Sequence, residues 1–231
     1  MSFYGYYASR DRNKFGEIIK KKFAQIVFDL TAKHGTTDSI LEIGPGDGYV
    51  ADIALAQGIT YSAIEGSSKI AEKLAERNIN VHCSFVPPLP NIGKEVSCCI
   101  LLHVLEHMDN HAKASELLGN IHAILKEDGL IIVAVPDYLS WGKLFFDCDY
   151  THSYPLTKRR LNRLFEDNGF SIILNEHYSG CYVGKIPFIF AKILSIFYSD
   201  TLNSIFFGKS DLLYRGVLTF MPNLLVVARK S

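Results

Sequence analysis

SILEIGPGDGYVADIAL, residues 39–55, decides the fold. An apolar run ends at Ile43, glycines follow at alternate positions (Gly44, Gly46, Gly48), and an apolar-periodic segment continues to Leu55. A strand that turns over glycines into a helix is the form of a nucleotide-binding turn. In the dinucleotide fingerprint G-x-G-x-x-G, the third glycine lets helix and strand pack closely, and a pyrophosphate rests on the helix N-terminus. Here Tyr49 stands where that glycine belongs, and Asp47 sets a carboxylate in the loop. Glu42 adds a second negative charge, and Coulomb repulsion then disfavours a dianionic ligand. The turn suits a ligand carrying cationic and hydroxyl groups.

Working outward, residues 14–33 place Phe15, Ile18, Ile19, Phe23, Ile26, Val27 and Leu30 at helical spacings, with Lys20, Lys21 and Lys22 mostly opposite. Downstream of the turn, strand readings fall at Tyr61–Ile64, Val81–Cys83, Val96–Leu102, Leu130–Val135, Ser171–Leu174 and Leu224–Ala228. Helices are read at Lys69–Arg77, Ser115–Leu125 and Thr157–Asn168, with Gly58 and Gly169 as stops. With Ile40–Ile43 this gives seven strands alternating with helices, which predicts an α/β, doubly wound, mostly parallel sheet with helices on both faces. The chain reads as a single domain: an N-terminal helical cap over residues 1–37, a core over 38–176, an apolar helical insertion over 177–222 and a last strand over 223–231.

Within the insertion, Ile186, Ile189, Phe190, Ile193, Leu194 and Phe197 keep the spacing of a helix stripe. Such a stripe packs on the sheet or on a second copy of the chain, roofs a lipid-like substrate, or lies on a membrane surface. The chain has 24 Lys and Arg against 24 Asp and Glu, a balance that argues against an electrostatic nucleic-acid binder. Five cysteines without a C-x-x-C pair point to free thiols and a cytoplasmic setting. The first residues lack the apolar core of a signal peptide, and no apolar run reaches the roughly 20 residues that span a bilayer.

E-x-G-x-G-x-G at Glu42–Gly48 resembles the first motif of class I S-adenosylmethionine-dependent methyltransferases, whose fold is Rossmann-like. Glu65 ends the second strand, where that family keeps an acidic residue for the ribose hydroxyls. LLHVLEHM (101–108) and DYTHSYPLTKRRLNRLFEDNGF (149–170) are similar to segments of the group that includes ubiquinone-biosynthesis methyltransferases. The resemblance implies that S-adenosylmethionine is the cofactor. Gly44, Gly46 and Gly48 would admit its methionine portion, with Glu42 and the Leu101 carbonyl on the ammonium. Glu65 and Gly66 would border the ribose, and Ser84 and Phe85 the adenine. The family's acidic residue after the third strand is absent here, and Ser97 replaces its usual fourth-strand aspartate.

Methyl transfer needs a base only when the acceptor carries a proton. His107 and His152 are the expected catalytic residues. His103 and His107, four apart, are read as sharing a helix-like face. That spacing also suits metal, with Glu106 nearby, but no metal ligand is assigned. The aromatic N-terminus (Phe3, Tyr4, Tyr6, Tyr7) is read as a lid or as a frayed end. The expected acceptor is a small molecule: apolar, lipid-linked, or a sugar or quinone precursor. A non-catalytic scaffold subunit is the alternative.

Overall fold

The computed structural model describes residues 14–35, 37–197 and 212–231. The aromatic lid falls outside them. Helix α1, Lys14–His34, buries Phe23, Val27 and Phe28 against the sheet. It carries Glu17 in its first turn and Lys33 and His34 in its last, each charge opposing the nearer pole of the helix dipole.

The cofactor half follows as β1 (Ser39–Ile43), α2 (Tyr49–Ala56), β2 (Thr60–Glu65), α3 (Ser68–Ala75) and β3 (Val81–Cys83). Then come β4 (Val96–Leu102), a 3-10 turn at Leu105–His107, α4 (His111–Ile124), β5 (Leu125–Pro136) and two short helices, α5 (Tyr138–Trp141) and α6 (Leu144–Asp147). The chain closes with α7 (Lys158–Glu166), β6 (Phe170–Ser179), β7 (Tyr182–Val183), α8 (Lys185–Phe197), α9 (Leu212–Phe220) and β8 (Asn223–Lys230).

The strands form one sheet in the order β3-β2-β1-β4-β5-β8-β6-β7. Pairings from β3 through β5 are parallel, and those made by β8 and β7 are antiparallel. The chain leaves β1 toward β2 on one side and returns as β4 on the other. Ligands bind in the crevice such a switch opens at the carboxyl ends of the strands. Alternation along β1 sends Leu41 and Ile43 into one core and Ile40 into the other, so apolar layers cover both faces.

The sheet has eight strands, one more than the seven read from the sequence. The addition is β7, two residues that pair with Tyr178 and Ser179 across a turn in which Gly180 has φ 59°. Two residues carry no periodicity. Strand β6 also runs past Leu174 to Ser179, where the polar run Asn175-Glu176-His177 hides it from a pattern of apolar alternation.

Helix α8 turns Ala191 inward and sets the Phe188 ring 4.0 Å from that of His177. Of its read stripe, Ile186, Ile189, Phe190 and Ile193 face out, with Ile186 83% exposed and Phe190 66%. Of the two packings read for the stripe, on the sheet or on a second copy of the chain, the first is corrected for these four residues, since Phe188 and Ala191 dock instead. Among the described residues no helix is long and apolar enough to cross a membrane.

Candidate functional site

The glycine turn sits at the carboxyl end of β1. Gly44, Gly46 and Gly48 have φ of 68°, 53° and 73°, a region costly for other residues. A Cβ on Gly44 would lie 2.9 Å from Cγ2 of Val104, and one on Gly48 would lie 2.8 Å from Cδ2 of Leu74. A Cβ on Gly46 would meet nothing within 4 Å. The outer glycines thus serve close packing, while Gly46 presents bare backbone to open space where a ligand can approach.

Two cations brace this turn from outside, and sequence reading identified neither. Lys20 of α1 pairs with Asp47 at 3.0 Å. Arg77, after α3, donates to the carbonyls of Asp47 and Gly48 and pairs with Asp52. The Asp47 carboxylate, read as a repulsive charge aimed at a phosphate, is tied to α1.

Glu42 is buried, and its carboxylate accepts from the Tyr61 hydroxyl. Burial pushes its pKa up to about 7; the Tyr61 bond opposes that rise and the nearby Glu65 adds to it. Tyr61 was also missed. It lies on the strand beside β1, and its side chain shares the Glu42 face. At the end of β2, the Glu65 Oε1 accepts from the Ser67 amide at 2.9 Å. Burial raises its pKa against the pull of the Ser67, Gly46 and Gly66 amides. The Gly46 amide therefore joins the turn to the end of β2.

Gly66 is covered by the Phe85 ring: a Cβ there would lie 2.7 Å from Cε1. Phe85 is itself 66% exposed, an aromatic plate at the mouth of the crevice. Ser84 donates its backbone amide to Glu65 and its hydroxyl to the Phe85 carbonyl, so its Oγ hydrogen is already committed. Leu101 is buried on the last rung between β1 and β4, opposite Ile43, and can offer only backbone.

The histidines lie beyond β4, reached through Val104, the residue that touches Gly44. His103 has φ 60° and donates from Nδ1 to Oε1 of Glu106 at 3.0 Å; its Nε2 accepts from the Tyr178 hydroxyl at 2.7 Å. It does not share a face with His107. The ring adjacent to His107 is that of His152, with centroids 4.9 Å apart. The His152 segment is pinned because the Glu106 carbonyl accepts the amides of Ser153 and Tyr154, both at 3.0 Å.

Both rings have one nitrogen engaged. His152 donates Nδ1–H to the Phe145 carbonyl at 2.6 Å, and burial lowers its pKa. His107 Nδ1 bonds the Thr151 hydroxyl at 2.8 Å, which in turn donates to Asp149 at 2.6 Å. Glu106 is wholly buried; burial disfavours its charge, yet the His103 hydrogen bond and the His103 and His107 rings hold its pKa below the usual carboxylate value.

A family model described as a methyltransferase domain matches residues 13–175. No match was found among curated proteins. Solved structures share the fold. An S-adenosylmethionine-dependent methyltransferase from Clostridium acetobutylicum aligns at TM-score 0.63 and 9% identity, covering 90% of this chain and 91% of its own. An SAM-dependent methyltransferase from Archaeoglobus fulgidus aligns at 0.60 and 19%, covering 94% and 100%. The cyclopropane synthase MmaA2 from Mycobacterium tuberculosis aligns at 0.63 and 16%, covering 89% and 84%.

Proposed function

The chain belongs to the methyltransferase-domain family and is a class I S-adenosylmethionine-dependent methyltransferase, and on that premise we propose that it methylates a hydroxyl oxygen of a small apolar or lipid-linked acceptor. The residues fit the cofactor, because Gly46 leaves open backbone beside a buried acidic residue at the end of β2. Glu42, Gly44, Gly46, Gly48 and the Leu101 carbonyl would hold its methionine end. Glu65 and Gly66 would take the ribose, with Ser84 and Phe85 at the base. When bound, the cofactor supplies an electrophilic methyl group on a sulfonium.

The observation that carries the acceptor side is the His107–His152 pair at the end of β4. With each Nδ1 engaged, each ring keeps Nε2 for the acceptor. An acceptor hydroxyl between the rings is oriented by these nitrogens and gives its hydrogen to one of them. Such positioning accounts for much of the rate in a displacement whose leaving group is already activated.

The apolar nature of the acceptor is supported by the outward stripe of α8: Ile186, Ile189, Phe190 and Ile193. Beside it lies an open cleft of about 350 Å³ lined by Asp137, Ser140, Lys158, His177, Phe188 and Lys192. A membrane-borne acceptor, or a second copy of the chain, would rest on that stripe. Free cysteines support a cytoplasmic setting.

The test is transfer of label from methyl-labelled S-adenosylmethionine into fractionated small-molecule extracts. Label should enter an organic-extractable pool as an alkali-stable methyl ether. Label in water-soluble material alone would remove the apolar acceptor, and no label in any fraction would favour a non-catalytic subunit.

A further inference from the structure

The open cleft beside α8 carries charge that an apolar acceptor alone does not call for. Lys158, Arg159 and Lys192 line it, against one carboxylate, that of the buried Asp137. The Asp137 carboxylate already has its partners. The Ser140 hydroxyl donates to its Oδ2 at 2.5 Å, and His177 Nε2 lies 3.4 Å from the same oxygen. Burial disfavours its charge, yet the His177 and Ser140 bonds hold its pKa below the ordinary carboxylate value. With His177 neutral, three cations against one carboxylate leave the lining an excess of two positive charges.

Helix stability does not explain where these cations stand. Lys158 and Arg159 open α7, whose first turn holds no acidic residue, although the amino end of a helix favours negative charge. Lys158 gives one of its three ammonium hydrogens to the Asn175 carbonyl at 2.5 Å, and Lys192 gives one to the Leu139 carbonyl at 3.3 Å. Backbone oxygens thus position both ammoniums beside the cleft without neutralising them. Arg159 makes no hydrogen bond or ion pair among the described residues.

We propose that this cleft binds a phosphate or diphosphate group borne by the methyl acceptor. A phosphate monoester carries about two negative charges at neutral pH, which matches the excess on the lining. Arg159 offers a planar fork to two phosphate oxygens, and the ammoniums of Lys158 and Lys192 act as point charges. That the phosphate belongs to the acceptor rests on the methyl-transfer reading of the histidine bed. Thr157, in the cleft wall, stands five residues after His152, at most about 17 Å of extended chain. The Leu156 carbonyl accepts the Tyr138 amide at 2.9 Å and so ties this connection to α5. A hydroxyl held between the histidines and a phosphate held in the cleft are therefore within reach of one molecule. Ile189, three residues before Lys192, and Ile193, one after it, are both exposed, so an apolar chain on the phosphate leaves the cleft along the α8 stripe.

The test is titration of the full chain with sodium pyrophosphate and with farnesyl phosphate. Calorimetry reads it, together with the fluorescence of Trp141, the single tryptophan of the chain, next to Ser140. One saturable site is expected for each probe. Arg159→Gln should weaken both about tenfold, and Arg159→Gln with Lys192→Gln about 100-fold, as for successive loss of charge-assisted hydrogen bonds. Lys126→Gln, at the other end of β5, should change neither. Circular dichroism checks that the variants fold. No saturable binding, or equal binding by the wild type and both cleft variants, overturns the proposal. Vesicles of phosphatidylcholine with phosphatidylglycerol test a bilayer headgroup as the source, and binding to them with neither phosphate probe bound also overturns it. In the methyl-labelling assay the product should be retained on an anion exchanger until phosphatase treatment, and a product neutral from the outset overturns the acceptor as the source. The titrations need no cofactor and no turnover, so their failure and that of the methyltransferase reading are separate results.

Discussion

The glycine turn and the histidine bed lie at the same edge of the sheet but are made in different ways. The turn is seven consecutive residues, Glu42–Gly48, whose chemistry is mostly backbone: three positive φ angles, with the Gly44 and Gly48 amides bonded to the Ile64 and Pro45 carbonyls. The bed joins Glu106 and His107 to Thr151 and His152, through bonds that span 44 residues from His107 to Thr151. It is further steadied by Tyr178, 75 residues from His103. A backbone device is written in a contiguous motif, whereas a side-chain device exists only once distant segments dock. The two meet where Val104 touches Gly44.

The difference predicts separable losses. The largest falls on the bed: His107→Ala with His152→Ala should lower kcat by about 10²–10⁴, the range of a lost acid–base or positioning group. The cofactor dissociation constant, measured in parallel, should change less than about threefold if the regions are as distinct as their construction.

On the turn side, Glu65→Ala should weaken S-adenosylhomocysteine by about 100-fold. It removes a buried carboxylate that orders the Ser67 amide and would accept from the ribose, at about 1.5–3 kcal/mol per charged hydrogen bond. Equilibrium dialysis reads this, with folding checked by melting temperature.

Smaller in functional effect is the pH response of Glu42. Its native pKa of about 7 exceeds the ordinary 4.5, so the folded chain holds a proton that the unfolded chain releases. Stability is then greatest below about 4.5 and falls as pH rises through about 7, by on the order of 3 kcal/mol from this group. Glu42→Gln should remove this component, and urea unfolding at pH 5 and pH 8 measures the difference between variant and wild type. A parallel pH response in both proteins would assign the loss to other groups.

Much of the frame was legible because it rests on local pattern. Glycines at 44, 46 and 48 after Ile40-Leu41-Glu42-Ile43, apolar at three of four positions, announced β1 and its turn, and Leu130–Val135 marked the centre of β5. Cys98 and Cys99, read as free thiols, are free and fully buried. What escaped depended on partners far along the chain. Lys20 and Arg77 look like ordinary surface cations until α1 and α3 bring them to the turn. Tyr61 reads as a β-prone aromatic, and only the β1–β2 register sets it against Glu42. His103 and His107 were paired by spacing, but the left-handed backbone at His103 turns it toward Glu106 and Tyr178. The α8 stripe was visible as a stripe, yet periodicity does not say whether a helix shows that face to the sheet or away from it.

The most direct test of the division between turn and bed is calorimetric titration of S-adenosylhomocysteine, with NAD as control, into wild type, Glu65→Ala and His152→Ala. The predicted result is one site in the wild type, no comparable heat with NAD, binding weakened about 100-fold by Glu65→Ala, and nearly unchanged affinity in His152→Ala. Tight binding of NAD without the adenosyl ligand, or equal loss in both variants, would contradict it.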